Sequence, residues 1–128
     1  RYAEVKSKLL ADASTPTATR TAVLRFLDRP ETFYDVVAPL TAAGTDPALR
    51  LEAVRTVTRI SDPEAARLLL RLATDPANPA NLRAEAVFGL ASQTEDLTAA
   101  LIGLLEDQDA AVRVEAARAL RSKSLAPA

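Results

Sequence analysis

Residues 112–120 read V-R-V-E-A-A-R-A-L, and three similar segments precede them in the chain. They are L-R-A-E-A-V-F-G-L from Leu82, L-R-L-E-A-V-R-T-V from Leu49 and a weaker copy, T-R-T-A-V-L-R-F-L, from Thr19. The second residue of every copy is an arginine, and successive arginines are 30, 33 and 30 residues apart: Arg20, Arg50, Arg83 and Arg113. A repeat of this length is typical of an array in which each unit packs only against its neighbours.

The composition favours an all-α fold without a catalytic centre. Of the 128 residues, 48% are hydrophobic, 4% are aromatic and only 3 are glycine, and the apolar residues are mainly Leu, Val and Ala, which helices accept. The chain has no Cys and no His, which removes thiolate nucleophiles, zinc–thiolate sites and the commonest general base. No serine has a His to activate it, and the carboxylate pairs fall at predicted helix ends, where capping explains them. We therefore expect no enzyme activity, no metal site and no cofactor.

Charge and hydropathy argue against a nucleic-acid partner and against a membrane span. The 16 basic and 17 acidic residues are interspersed and leave a net charge of −1, so no overall field draws the chain to nucleic acid or to an anionic membrane. No apolar run approaches the roughly 20 residues that span a bilayer. Because the chain begins at Arg1 and contains no Met, we expect it to be a piece of a longer protein. Its cellular compartment is left open.

Capping residues mark where helices begin. Asp46-Pro47 and Asp62-Pro63 each place an N-cap acceptor before a proline at the first helical position, where its missing N–H costs nothing. Gly44 and the segments 75–81 and 107–109 are typical of breaks between helices. The pattern predicts eight helices, at about 2–12, 16–28, 31–43, 47–60, 63–74, 80–92, 95–106 and 109–122, followed by a frayed tail from Ser124 to Ala128.

Taken in pairs, these helices form four hairpins in a single domain over residues 1–128, with repeats at roughly 2–28, 31–60, 63–92 and 95–122. The second helix of each pair carries one apolar stripe, whose small alanines allow two helices to approach closely. In the third repeat the inward positions are Leu82, Ala86, Val87 and Leu90. The equivalents are Leu49, Ala53, Val54 and Val57 in the second repeat, and Val112, Ala116, Ala117 and Leu120 in the fourth.

The repeated unit resembles the HEAT repeat, particularly the short bacterial type also called phycobilisome-lyase-like. The resemblance rests on an Asp, then Val/Leu-Arg, then Ala-Ala/Val and a closing Leu. The segment D-A-A-V-R-V-E-A-A-R-A-L from Asp109 fits best, and D-P-A-L-R-L-E-A-V-R-T-V from Asp46 is next. The resemblance covers about residues 15–122 and implies a right-handed α-solenoid of about four hairpins. It implies no single function, because HEAT arrays serve as scaffolds, regulatory subunits, lyase partners and, rarely, DNA-repair enzymes.

The repeated arginines are expected to be structural. The helical wheel places Arg50 on the flank of the apolar stripe, with Asp46 four residues earlier. We predict a ladder of hydrogen bonds to Asp side chains and turn carbonyls of the same and the next repeat, a use that the HEAT resemblance also implies. A ligand-binding role for these arginines is the alternative. The ladder residues are Arg20, Arg50, Arg83, Arg113, Asp46 and Asp109.

A second row of residues, five positions after the first, is predicted to point away from the core and, by the HEAT resemblance, onto the concave face. This outward row consists of Arg25, Arg55, Phe88 and Arg118. It is flanked on one side by Arg29, Arg59 and Arg121, and on the other by Glu52, Glu85 and Glu115. Two interpretations stay open. The row is a solvated face with i,i+3 ion pairs, or it is a recognition surface in which Phe88 interrupts the arginines, a composition enriched at interface hot spots.

The leading functional hypothesis is a non-catalytic protein–protein interaction module, a scaffold or regulatory element whose second helices bind a helix or an extended acidic segment. The partner is another protein or a domain of the parent chain. One alternative is a DNA-binding HEAT-like module, which the arginine rows favour but the net charge and only 3 Lys oppose. Another is a non-covalent lyase or chaperone subunit for a prosthetic group, which only the resemblance suggests. The oligomeric state is left open.

Overall fold

A computed structural model describes residues 2–124, and the regular structure over this range is entirely helical. The all-α prediction is therefore confirmed. The α-helices are α1 (Tyr2–Ala11), α2 (Thr17–Arg25), α3 (Tyr34–Val37), α4 (Pro47–Thr58), α5 (Pro63–Thr74), α6 (Ala80–Leu90), α7 (Thr98–Leu104) and α8 (Ala110–Ser124). Two 3-10 segments, Pro30–Phe33 and Ala38–Thr41, flank α3. The predicted tail beyond Ser124 lies outside the described residues.

Side-chain caps set the start of α4 and of α5. The Asp46 carboxylate accepts hydrogen bonds from the backbone N–H groups of Ala48 at 3.1 Å and Leu49 at 3.3 Å. Asp62 accepts one from the N–H of Ala65 at 2.9 Å. In both helices a proline occupies the first turn, where its fixed φ suits the helix and no N–H is required. Local sequence chemistry is thus sufficient to place these two helix starts.

The helix predicted at 31–43 is not a regular α-helix. This stretch consists of α3 and the two 3-10 segments on either side of it. The first segment begins at Pro30 and the second contains Pro39. Pro39 has no N–H to donate and its ring crowds the preceding turn, so a regular α-helix cannot run through it. The predicted helix at 95–106 is also shorter, because Asp96 accepts a hydrogen bond from the N–H of Thr98 and α7 begins only there.

The described chain divides into two compact units, and the first ends at Ile60. In this unit α1 packs against α2 and α3, and α4 packs against α2, α3 and the second 3-10 segment. The core is made of side chains with no solvent exposure, contributed by the first three helices and by α4: Leu10, Leu24, Val37, Val54 and Val57. The predicted inward stripe of α4 is buried throughout. Two helical hairpins thus share one core through their second helices, α2 and α4.

The second unit begins at Ser61 and repeats this arrangement. Helix α6 packs against both α5 and α8, and α7 packs against α8. The predicted stripe of α6 is buried, but that of α8 is only partly right. Ala117 is exposed and Leu120 is half-buried, whereas Ala119 is buried with Val112 and Ala116. The buried positions of α8 are therefore spaced by four and three residues, the period of a single helical face.

Candidate functional site

The repeated arginines bind the ends of the helices that precede them. In three repeats the side-chain Nε donates to a backbone carbonyl near the end of the preceding helical segment: Arg20 to Leu10 at 3.3 Å, Arg50 to Thr41 at 2.7 Å and Arg83 to Ala73 at 3.0 Å. The last carbonyls of a helix have no partner within it and carry partial negative charge. A guanidinium therefore both satisfies an unpaired acceptor and neutralises a helix C-terminus.

The fourth arginine of the series, Arg113, has different acceptors. Its Nη1 donates to the carbonyls of Asp107 at 2.7 Å and Gln108 at 3.0 Å, in the turn just before α8. Arg113 is exposed, whereas Arg50 is buried. The arginine of the last copy therefore binds carbonyls of its own turn and does not reach the end of α7.

Arg83 also forms a two-pronged ion pair with Asp107, which lies in the turn before α8. Both guanidinium Nη atoms contact the carboxylate, and each side chain is 12% exposed. The N–H of Asp109 donates to the same carboxylate at 2.9 Å. The hydrogen bond from Arg83 holds the pKa of Asp107 below its ordinary value, and the Asp109 N–H acts in the same direction. The pair joins α6 to the next hairpin.

The two predicted ladder aspartates act as helix caps. Asp46 caps α4, and Asp109 accepts from the N–H of Ala111 at 2.9 Å at the start of α8. The aspartate that meets a ladder arginine is Asp107, two residues before the predicted one. The repeat motif alone does not show whether Asp107 or Asp109 pairs with the arginine, because both lie in the same short turn.

A second set of basic contacts was not predicted from the sequence. Arg59, at the end of α4, donates from Nη1 to the carbonyl of Leu27 at 3.1 Å and from Nη2 to that of Leu24 at 3.0 Å. Lys123, near the end of α8, donates to the carbonyl of Gln93 at 2.7 Å. Each basic residue thus reaches the end of the second helix one repeat earlier. The signal in the sequence is a basic residue nine or ten positions after a ladder arginine.

In the first unit, both arginines of the outward row, Arg25 and Arg55, form ion pairs with the same glutamate. Glu52 lies between Arg25 of α2, at 3.3 Å, and Arg55 of its own helix, at 3.9 Å. The sequence placed Glu52 on a solvent-facing flank, but it is only 8% exposed. Because α2 packs on α4, the side chain of Arg25 crosses the helix boundary and helps to cover the carboxylate. Glu52 is therefore not accessible as a contact for a partner.

In the second unit, the outward row carries an exposed aromatic residue beside a groove. Phe88 lies on α6 and is 58% exposed. The groove has a volume of about 490 Å³ and lies between α6 and α8, and we call it the Phe88 groove. Its lining residues are Asn81, Ala84, Glu85, Phe88, Ala111 and Glu115. Two alanines leave the space that larger side chains would fill.

One cation of the outward row contacts a residue of this groove. Arg118 pairs with Glu115 at 3.0 Å, and its side chain is 72% exposed. Arg121 is exposed further along α8. In the other unit, Arg29 is exposed and adopts a left-handed backbone conformation with φ of 50°. The predicted outward row and its flanks are thus distributed over both units, and only Glu85, Phe88 and Glu115 line the groove.

Reactive chemistry is sparse in the part of the chain that the structure describes. Residues 2–124 contain no group of three or more His, Cys, Asp or Glu side chains able to hold a metal ion. The hydroxyl of Ser14 donates to Asp12 at 2.7 Å, and this bond and that of the Ser14 N–H lower the pKa of Asp12. The two residues are separated by one position and belong to an exposed turn. Their contact is that of local turn chemistry.

Comparisons with known proteins add no relative. The chain matches no protein-family model, no curated protein and no solved structure. Between residues 2 and 124, no helix has the length and apolar character needed to cross a bilayer.

Proposed function

We propose that this protein is a non-catalytic protein-interaction module, built as a right-handed α-solenoid of HEAT-like hairpins, and that it binds its partner on the concave face, where the second helices carry the outward row. The observation that carries the proposal is the Phe88 groove. A large aromatic side chain that is 58% exposed, beside a groove with a partly apolar lining, is a combination that partner proteins cover.

The packing within each unit supports the solenoid. Second helices pack against second helices, α2 with α4 and α6 with α8. In three of the four hairpins an arginine joins the two elements internally, and Arg59 and Lys123 join successive second helices. Such contacts between neighbouring repeats are what an extended array requires, because no single hairpin buries its own apolar face.

The cations of the outward row favour a protein partner over DNA. Binding to a phosphate backbone requires several cations that are available to release counterions. Arg25 and Arg55 contact Glu52, Arg118 contacts Glu115, and both Nη atoms of Arg59 donate to carbonyls. Each of these cations has an acceptor within the protein, and the net charge of the chain is −1, so the charge pattern favours a phosphate backbone less than a protein partner.

The test is recovery of partners with a matched pair of variants. Phe88→Ala removes the exposed ring on α6, and Ile102→Ala removes an exposed apolar side chain on α7, a first helix, where Ile102 is 53% exposed. We expect Phe88→Ala to weaken binding of the recovered partner by about 2 kcal/mol or more, roughly thirtyfold in Kd. Ile102→Ala should bind as the unmodified protein does.

Circular dichroism serves as the control that both variants keep the helical fold. If a partner binds equally to the unmodified protein, to Phe88→Ala and to Ile102→Ala, Phe88 is not an anchor and the proposed binding face is wrong.

A further inference from the structure

We infer that this protein associates head-to-tail with a second copy of itself, with α2 of one copy packed against α8 of the other. The contact extends to two copies the pairing of second helices that is found within each unit, α2 with α4 and α6 with α8. It does not involve the Phe88 groove, so it is independent of the proposed function.

One side of α2 ends in an exposed aromatic residue at a position that is buried in other second helices. Phe26 lies six positions after Arg20 and is 77% exposed. The residues six positions after the ladder arginines of α4 and α8 are Thr56 and Ala119, and both are buried. Each of those helices packs on a preceding second helix of its own unit. The Phe26 position is therefore one that this fold covers with a preceding second helix.

The same side of α2 is followed by a cation at the position that holds the end of such a helix. Arg29 and Arg59 each lie nine positions after the ladder arginine of their repeat. Arg59 donates to two carbonyls at the end of the preceding second helix, and Lys123 makes the equivalent contact from α8. Arg29 is exposed. We call Ala22, Phe26 and Arg29, all of them exposed, the open side of α2.

Helix α8 has an open side of the opposite kind, one that a following second helix covers elsewhere in the fold. Ala117 is exposed, whereas Leu24 in α2 and Val87 in α6, at the same repeat position, have no solvent exposure. Those two helices each pack against a following second helix in their own unit. Val114 lies three residues before Ala117, on the same face of α8, and is 46% exposed. We call Val114 and Ala117 the open side of α8.

The two open sides complement each other in size and charge. The open side of α2 presents a large ring, and that of α8 presents small apolar side chains that leave room for it. Contact between them removes exposed apolar surface from water. Arg29 is suited to the C-terminal end of α8, which carries partial negative charge. Because each copy has one side of each kind, the contact is heterologous and can be repeated along a row of copies.

The test is sedimentation of two variants, each with one open side blocked, studied separately and as a mixture. Phe26→Arg blocks the open side of α2 and Val114→Arg blocks that of α8, since each buries a cation without a partner in the contact. One helix pair is a small interface, so we expect the unmodified chain to associate with a Kd on the order of 100 μM. Each variant alone should associate at least about tenfold more weakly.

A mixture of the two variants should form a heterodimer with the affinity of the unmodified contact, because it brings together one intact side of each kind. The matched control is Ile102→Arg, which places the same charge at an exposed apolar residue of α7, outside both open sides. This control should associate as the unmodified chain does. Circular dichroism checks that each variant keeps the helical fold.

Each other outcome overturns the inference. An unmodified chain that stays monomeric up to about 1 mM would show that the open sides do not bind each other. Association lost in Phe26→Arg but kept in Val114→Arg would indicate a symmetric contact of α2 with α2, and a mixture that stays monomeric would also refute the head-to-tail pairing. Association abolished by Phe88→Ala would place the second copy in the Phe88 groove instead.

Discussion

At the residue scale, arginine serves this repeat because its guanidinium presents N–H groups in two directions. In Arg83 the Nε faces the end of α5 while both Nη atoms face Asp107. One side chain therefore bonds a helix end and a turn of the following hairpin. A lysine ammonium reaches only one of these positions at a time, since it is a point charge on a flexible stem. This explains the choice of arginine at position 83, where both contacts are made.

Removal of this side chain should be costly. We expect Arg83→Ala to lower the free energy of unfolding by about 1.5–3 kcal/mol, because the Ala73 carbonyl and the Asp107 carboxylate, both poorly exposed, lose a charged donor. The control is Arg118→Ala, whose side chain is 72% exposed and which should change stability by no more than about 0.5 kcal/mol. Denaturant titration measures both. Equal losses would show that Arg83 has no structural advantage over a surface arginine.

The same pair predicts a dependence of stability on pH. Arg83 lowers the pKa of Asp107 in the folded protein, so the folded state binds that proton less readily than the unfolded chain does. The stabilisation is therefore complete above the unfolded pKa of about 3.9 and is lost as the pH falls through the lower folded pKa. Asp107→Asn lacks this contribution. Its stability deficit at neutral pH should shrink in acid, and a deficit unchanged across this range would refute the pairing.

At the element scale, the second helices pack against each other within each unit, and the first element of the second hairpin is irregular. Helices α4, α6 and α8 are regular over eleven residues or more, whereas the first element of the second hairpin is broken into 3-10 turns around α3. The second helices pack against each other within each unit, and a basic residue at the end of one holds the end of the previous one.

This element-scale contact is testable at Arg59. Arg59→Ala should destabilise the protein by about 1–3 kcal/mol, since two carbonyls at the end of α2 lose their donors, and amide hydrogen exchange should accelerate most in α2. Arg59→Lys should recover part of the loss, because Lys123 makes the equivalent contact with an ammonium.

The control for loss of a surface cation in the same unit is Lys8→Ala, because Lys8 is an exposed residue of α1. Exchange in α2 that is equally fast in Lys8→Ala and Arg59→Ala would mean that the Arg59 contact does not hold the helix end.

At the scale of the whole molecule, the described chain consists of two units with separate cores and the same internal plan. Each contains two hairpins joined through their second helices. In the second unit Phe88 stays exposed in the last turn of α6, beside the groove that it lines.

The sequence by itself determined the helical class, the period of the repeat and the caps of α4 and α5, because these depend on residues that are neighbours in the chain. It did not show that 31–43 would break at Pro39 into 3-10 turns, since a proline is also tolerated at a kink. It did not show the burial of Glu52, the choice of Asp107 over Asp109 or the reach of Arg59. Those partners are separated by 24 to 35 residues, so only the packing of one hairpin against the next brings them within bonding distance.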